Sequence, residues 1–201
     1  EQEAESALTL EMKLKHALND EGLLLLYQPV IDIQSGKLVA AEALIRLRDD
    51  NGEIIGADQL IPIAEATGLV APLGLWVAQE ACRQIIQWHR HGLPAVPIAI
   101  NVSPLQFRQP NLAEQLIRTI NEVGVDPCCL QLEVTESVVM SNVDAAIQTM
   151  QAIRSKGIQI SLDDFGTGYS SLGMLTALPL DKLKIDQSFV RQMAHNDISL
   201  A

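Results

Sequence analysis

Short aliphatic and β-branched runs alternate with longer segments of helical periodicity along most of the chain. This alternation predicts βα units built around a parallel sheet. The sequence predicts six strands, which cover residues 23–30, 37–45, 96–102, 130–135, 158–162 and 182–185. An amphipathic helix over 3–19 precedes the first strand, and a long helix is expected over about 72–91.

The link between the first two predicted strands is a short turn at Ser35 and Gly36. Such a link joins only antiparallel neighbours, because a parallel crossover needs a dozen or more residues. We therefore expect a hairpin followed by parallel strands, in an α/β, TIM-type (β/α) barrel with an antiparallel first strand and six of its eight strands present. A doubly wound open sheet is the rival architecture, but no glycine-rich turn follows the first strand.

Several polar residues are candidates for helix boundaries. Asp58 is predicted to cap a short helix, and Asn111 the helix that ends at Gly124. Ser141 or Asn142 is expected to cap the next helix. These boundaries divide the second half of the chain into regular strand and helix units.

The five later strands share one pattern of alternating faces. One face of each is apolar, which suits packing against outer helices, and the other carries a polar group late in the strand. In a parallel barrel these late positions converge at the C-terminal mouth, where catalytic groups of this fold lie. The late polar residues are Glu42, Asn101, Glu133, Asp163, Lys184 and Asp186.

Carboxylates brought together in this way repel one another unless a cation joins them. Oxygen ligands favour Mg²⁺, Mn²⁺ or Ca²⁺ over zinc. Taken singly, each residue has a simpler explanation: Glu42 as an ion-pair partner, Asn101 as a partner of the backbone, and Lys184 with Asp186 as an ion pair. Their shared face and shared end favour a metal site.

Composition narrows the class of protein. The 201 residues are 48% hydrophobic and 19% charged, which is typical of one globular domain. The net charge of −11 argues against DNA or RNA polymers as partners, and no apolar run is long enough to span a bilayer. Three cysteines, two of them adjacent, make a poor disulfide framework and indicate reduced thiols in a cytoplasmic protein.

Six motifs make the sequence recognisable. They are Tyr27-Gln28-Pro29-Val30, Ala41-Glu42-Ala43-Leu44-Ile45-Arg46, Asn101-Val102-Ser103, Glu133-Val134-Thr135-Glu136, Asp163-Asp164-Phe165-Gly166-Thr167-Gly168-Tyr169-Ser170-Ser171-Leu172 and Lys184-Ile185-Asp186. In content and order they resemble the EAL family, which is named for the tripeptide at 42–44. The resemblance implies a barrel with an antiparallel first strand that hydrolyses cyclic di-GMP.

The resemblance also implies roles for individual residues. Glu42, Asn101, Glu133 and Asp163 are implied as metal ligands, and Asp164 as a ligand of a second metal. The implied catalytic set is Lys184, which orients the attacking water or a phosphate oxygen, with Asp186 and Glu136. Glu136 is also expected to anchor the loop over 164–171. The implied substrate contacts are Gln28, Leu44 and Arg46, with Arg46 on a phosphate.

The implied reaction is hydrolysis of cyclic di-GMP to linear pGpG with two Mg²⁺ or Mn²⁺ ions, and with Ca²⁺ as an inhibitor. The implied assembly is a cytoplasmic homodimer, as the cytoplasmic part of a larger and membrane-tethered protein. A catalytically silent cyclic di-GMP receptor is the alternative, and a barrel enzyme of unrelated chemistry is a third interpretation.

The expected domain organisation has two parts. Residues 1–20 form a lead-in helix or linker from an upstream sensory or diguanylate-cyclase-like domain. Residues 21–201 form an EAL domain that stops before the family's last two βα units. Catalysis by these residues alone is therefore an open expectation.

Overall fold

The computed structural model describes residues 2–19, 22–49, 51–93, 96–166 and 175–193. The strands are β1 (Leu23–Ile31), β2 (Leu38–Arg48), β3 (Ile54–Ile55), β4 (Ile98–Asn101), β5 (Leu130–Thr135), β6 (Gln159–Phe165) and β7 (Lys182–Ile185). The helices are α1 (Gln2–Asn19), α2 (Ala57–Ala66), α3 (Val70–Arg90), α4 (Pro104–Phe107), α5 (Leu112–Val123), α6 (Glu136–Ser141), α7 (Val143–Arg154) and α8 (Gln187–Met193). A 3₁₀ turn covers Pro127–Cys129.

The described strands form one sheet in the order β1-β2-β4-β5-β6-β7, with the short β3 paired to β2. The predicted hairpin is confirmed, because β1 and β2 pair antiparallel with Gln28 opposite Glu42. The strands β2, β4, β5, β6 and β7 are parallel neighbours. Polar groups that end each strand are therefore carried to the same edge.

The hydrophobic core lies between the sheet and the outer helices. Ile98, Leu130, Leu132 and Ile160 on the predicted helix-facing side are fully buried. They pack in one cluster with apolar residues of α3, α5 and α7. The predicted division of each strand into an apolar and a mixed face is therefore confirmed for β4, β5 and β6.

The predicted helix caps are confirmed only in part. Asn111 stands in the cap position of α5, but its side chain makes no capping hydrogen bond. Asp58 was expected to cap α2, but the helix begins at Ala57, with Gly56 in the cap position and Asp58 inside the first turn. A side chain at Gly56 would collide with the Asp58 carboxylate. Asn142 caps α7 as predicted, since its side chain accepts from the Ala145 amide at 3.2 Å.

The lead-in helix is part of the packed structure. Leu14 and Ala17 are buried, and α1 lies against α2 and α3. Lys13 forms an ion pair with Asp49 at 2.9 Å. Within the described ranges, no helix combines the length and the hydropathy needed to cross a membrane.

Candidate functional site

Five polar side chains from five neighbouring strands meet at the carboxyl edge of the sheet. In the parallel pair β4–β5, Asn101 lies directly opposite Glu133. The set consists of Glu42 on β2, Asn101 on β4, Glu133 on β5, Asp163 on β6 and Lys184 on β7. The convergence predicted from strand alternation is therefore present.

Three carboxylates surround one ammonium group in this cluster. The Lys184 Nζ donates to Glu133 Oε2 at 2.6 Å, to Asp163 Oδ2 at 2.9 Å and to Glu42 Oε2 at 3.0 Å. One oxygen from each carboxylate lies within 4.8 Å of the others. The Asn101 Nδ2 donates to Glu42 Oε1 at 2.9 Å. The site is thus a compact set of side-chain oxygen atoms gathered around a positive charge.

Burial affects the pKa of Glu133 and of Lys184. Glu133 is only 4% exposed, and burial raises its pKa to about 7, against the opposing effect of the Lys184 ammonium. The negative charges of Glu42 and Asp163 also contribute to this rise in the pKa of Glu133. Burial alone would lower the pKa of Lys184, but hydrogen bonds to Glu133 and Asp163 outweigh it and hold that pKa above its ordinary value.

Asp164, the residue after Asp163, has an unusual backbone conformation. Its φ is +54°, in the left-handed region that non-glycine residues seldom occupy. Its amide donates to Asp163 Oδ1 at 2.9 Å. Partial burial, with the charges of Asp163 and Asp186, raises the pKa of Asp164. Such local strain tends to occur at functional sites, and here it sets two carboxylates side by side.

Glu136 lies behind the cluster at the start of α6. It is 2% exposed, and its Oε2 accepts from the Gly166 amide at 3.0 Å. The contact holds the end of β6, where the predicted loop over 164–171 begins. Residues 167–171 of that loop lie outside the described residues.

The predicted substrate contacts lie around the same mouth. Gln28 is exposed on β1, opposite Glu42 in the hairpin, while Leu44 and Arg46 are half-buried on the same face of β2 as Glu42. The Arg46 Nη1 donates to the Ile45 carbonyl oxygen at 2.7 Å. These positions bring an amide and a guanidinium towards one rim of the site.

Asp186 is placed differently from the other late residues. Its Oδ1 accepts from the Ser188 amide at 2.8 Å, at the start of α8. Hydrogen bonds from Ser188 lower the pKa of Asp186. The three carboxylates that Lys184 contacts are those of the cluster, so the simple Lys184–Asp186 ion pair considered from the sequence does not describe this lysine.

A cavity of about 530 Å³ opens beside the cluster. Asn101 is the cluster residue in its lining, together with Leu44 and Asp164, while Asp58 and Ile61 line it from α2. The three carboxylates and the lysine of the cluster are not among the residues that line it. The residues of α2 were not predicted as part of the site. Their role depends on how a helix packs over the sheet edge, which the periodicity of the sequence does not reveal.

Comparison with known proteins identifies relatives of this chain. A family model described as EAL domain matches residues 11–201. Over 193 residues the chain is 39% identical to the bifunctional diguanylate cyclase/cyclic di-GMP phosphodiesterase MucR of Pseudomonas aeruginosa, covering 96% of this chain and 28% of that protein. It is 36% identical over 200 residues to the cyclic di-GMP phosphodiesterase NbdA of the same species, covering 98% and 26%.

Solved structures agree with this likeness. The MucR phosphodiesterase in complex with c-di-GMP aligns with a TM-score of 0.88 at 38% identity, over 96% of this chain and 78% of that one. The FimX EAL domain of Xanthomonas citri with c-diGMP aligns with a TM-score of 0.86 at 28% identity, over 98% and 77%. The chain spans about a quarter of the length of the curated relatives named above.

Proposed function

This chain belongs to the EAL domain family, whose fold is a TIM-like (β/α) barrel, and we propose that it hydrolyses cyclic di-GMP to linear pGpG with bound divalent metal. The observation that carries the proposal is the convergence of Glu42, Glu133 and Asp163 within 4.8 Å of one another. The names of the relatives MucR and NbdA supply the reaction and the substrate.

The residues of the cluster fit a hard divalent cation. Carboxylate and amide oxygens are the ligands that Mg²⁺ and Mn²⁺ prefer. In our proposal, Glu42, Asn101, Glu133 and Asp163 hold one ion, and Asp164 contributes to a second. When bound, such ions polarise phosphoryl oxygens and lower the pKa of a coordinated water. Ca²⁺ would bind the same oxygens with looser geometry, and we expect it to inhibit.

Lys184 has a role that its geometry supports. Its ammonium contacts three carboxylates, so it carries positive charge at the centre of the site. Its raised pKa keeps it protonated at neutral pH. We assign it to orient the attacking water or a phosphoryl oxygen by hydrogen bonding. Asp186 belongs to the same catalytic set through its nearby charge, although its described hydrogen bond is to Ser188.

The remaining residues position the substrate and the loop. Arg46 is assigned to a phosphate, because a planar guanidinium binds phosphate oxygens well. Gln28 and Leu44 are assigned to the rest of the dinucleotide, on the rim and in the wall of the cavity. Glu136 is assigned to fix the segment after β6 through its contact with Gly166. The cavity beside the cluster is large enough to admit part of such a substrate.

We also propose which further domain and which assembly the chain belongs to. Its relatives are much longer proteins, so we propose an upstream sensory or diguanylate-cyclase-like domain joined through the lead-in helix. We propose further that the protein works as a cytoplasmic homodimer, as part of a larger and membrane-tethered protein.

The test is hydrolysis of cyclic di-GMP by the full-length protein, followed as pGpG by chromatography. Mg²⁺ or Mn²⁺ should support turnover and a chelator should abolish it. Glu42→Gln should lower turnover by more than about 100-fold, because even outer partners of metal ligands typically contribute 10–100-fold. The matched control is Glu114→Gln, at an exposed glutamate on α5, which should leave turnover unchanged.

Two results would contradict the proposal. Full turnover by Glu42→Gln would remove Glu42 from the metal site. Cyclic di-GMP binding without any pGpG, in the presence of either metal, would identify a receptor in place of an enzyme.

A further inference from the structure

A second polar layer lies below the acidic cluster on the interior face of the sheet. Its members precede the cluster residues by two or four positions in their strands, so they point to the same side. They are Gln131 on β5, Gln159 and Ser161 on β6 and Lys182 on β7. Lys182 Nζ donates to Gln131 Oε1 at 2.6 Å. Polar groups in a barrel interior cost free energy unless they are hydrogen-bonded.

Two polar groups of this layer have no described hydrogen-bond partner, and the Ser161 hydroxyl is the one nearer the cluster. Ser161 is 0% exposed, and its Oγ has no hydrogen-bond partner among the residues that the structure describes. The Gln159 Oε1 is also buried without a described partner. Native proteins rarely leave such groups unpaired, and each one calls for an explanation.

The neighbours of Ser161 identify its partner. In register, Ser161 lies opposite Glu133 on β5 and opposite Lys182 on β7. Neighbouring strands are about 4.8 Å apart, so side chains on register partners are within reach of one another. A lysine ammonium only donates and a carboxylate only accepts. Of these two register neighbours, Glu133 is the one whose side chain can accept the hydroxyl proton of Ser161, although the structure shows no hydrogen bond between them.

Gln159 does not have this relation to the cluster. It lies opposite Gln131, one layer farther from the carboxylates. Its neighbour is already engaged by Lys182. Ser161 is thus the residue of the lower layer that can act directly on a cluster carboxylate.

We propose that Ser161 is a positioning residue for Glu133. In the metal-bound protein its hydroxyl donates a hydrogen bond to the Glu133 carboxylate, directly or through one ordered water, and so orients that carboxylate towards a divalent ion. Glu133 is then held on two sides, by Ser161 and by Lys184 at 2.6 Å. Outer partners of this kind fix the orientation of a metal ligand. The inference rests on the proposed function, because it needs Glu133 to be a metal ligand.

The test is Mn²⁺ binding to metal-stripped full-length protein, with free Mn²⁺ measured by electron paramagnetic resonance. Ser161→Ala should bind Mn²⁺ roughly 10–100-fold more weakly, the usual effect of losing an outer partner. The unfolding temperature of the metal-free variant should stay the same or rise, because the structure shows the Ser161 hydroxyl without a described partner and we place its hydrogen bond to Glu133 in the metal-bound protein. A purely structural role predicts a lower unfolding temperature.

Two further variants separate positioning from packing. Ile160→Val shortens the fully buried neighbour on the opposite face, so it should lower the unfolding temperature and leave Mn²⁺ affinity unchanged. Ser161→Thr keeps the hydroxyl and should retain most of the affinity for Mn²⁺.

The outcomes distinguish the inference from the proposed function. Equal Mn²⁺ binding by wild type and Ser161→Ala would overturn the positioning role and leave the proposed function standing. A fall in unfolding temperature and affinity together in Ser161→Ala would show a structural role and also overturn it. A wild-type protein that binds no Mn²⁺ would overturn both.

Discussion

At the scale of single residues, the chemistry of the proposed metal site depends on how deeply each carboxylate is buried. Strand alternation predicted the five residues that meet at the mouth, together with Asp186, whose hydrogen bond is to Ser188. It did not predict that Glu133 would be almost fully buried, or that Lys184 would contact three carboxylates. Those properties depend on contacts between residues that are up to 142 positions apart in the sequence. No local pattern encodes such packing distances.

The buried Glu133 predicts a pH dependence of stability. Its pKa rises from 4.5 to about 7, with burial as the first cause. Between about pH 4.5 and 7 the folded protein therefore keeps a proton that the unfolded chain has released. The free energy of unfolding of the metal-free protein should fall, by this contribution, as the pH rises through that window.

Glu133→Gln isolates this contribution. The variant cannot titrate at this position. Its free energy of unfolding should therefore fall less than that of the wild type as the pH rises across the same window. Urea unfolding of both metal-free proteins at several pH values measures the difference. Equal slopes would show that Glu133 keeps an ordinary pKa.

At the scale of elements, regular periodicity was predictable and short elements were not. The six predicted strands and the hairpin are present, because each strand is either an apolar run or a segment of alternating character. The two-residue β3 and the short helices α4 and α6 were not predicted. Two to six residues contain too little of a repeat to be recognised, and their geometry is set by neighbouring elements.

The two faces of β5 predict opposite consequences for adjacent residues. Leu132 is fully buried on the helix-facing side, next to Glu133 on the site-facing side. Leu132→Ala should lower the free energy of unfolding by about 2–5 kcal/mol, because it leaves a cavity in the core. Its Mn²⁺ affinity should be unchanged, as measured by titration at a temperature where the variant is folded.

Glu133→Gln is the matched control for this prediction. It should weaken Mn²⁺ binding strongly, because it removes a charged ligand. A Leu132→Ala protein of normal stability that no longer binds Mn²⁺ would reverse the assignment of the two faces.

At the scale of the whole molecule, the negative charge of the chain must be reconciled with the binding of an anionic substrate. A chain with a net charge of −11 repels an anionic dinucleotide. In the proposed mechanism, divalent ions offset the cluster carboxylates, and Lys184 and Arg46 add positive charge near the mouth. The family and fold were recognisable from six motifs. The cavity wall from α2 was not, since it depends on how a helix packs over the sheet.

The central claim is that Glu42, Glu133 and Asp163 hold divalent metal. The most direct test is anomalous X-ray diffraction from crystals of the protein grown with Mn²⁺. The account predicts an anomalous peak among these three carboxylates, with Asn101 beside it, and no peak there in Glu42→Gln crystals. Mn²⁺ bound elsewhere in the wild-type crystal, with Lys184 still contacting all three carboxylates, would contradict it.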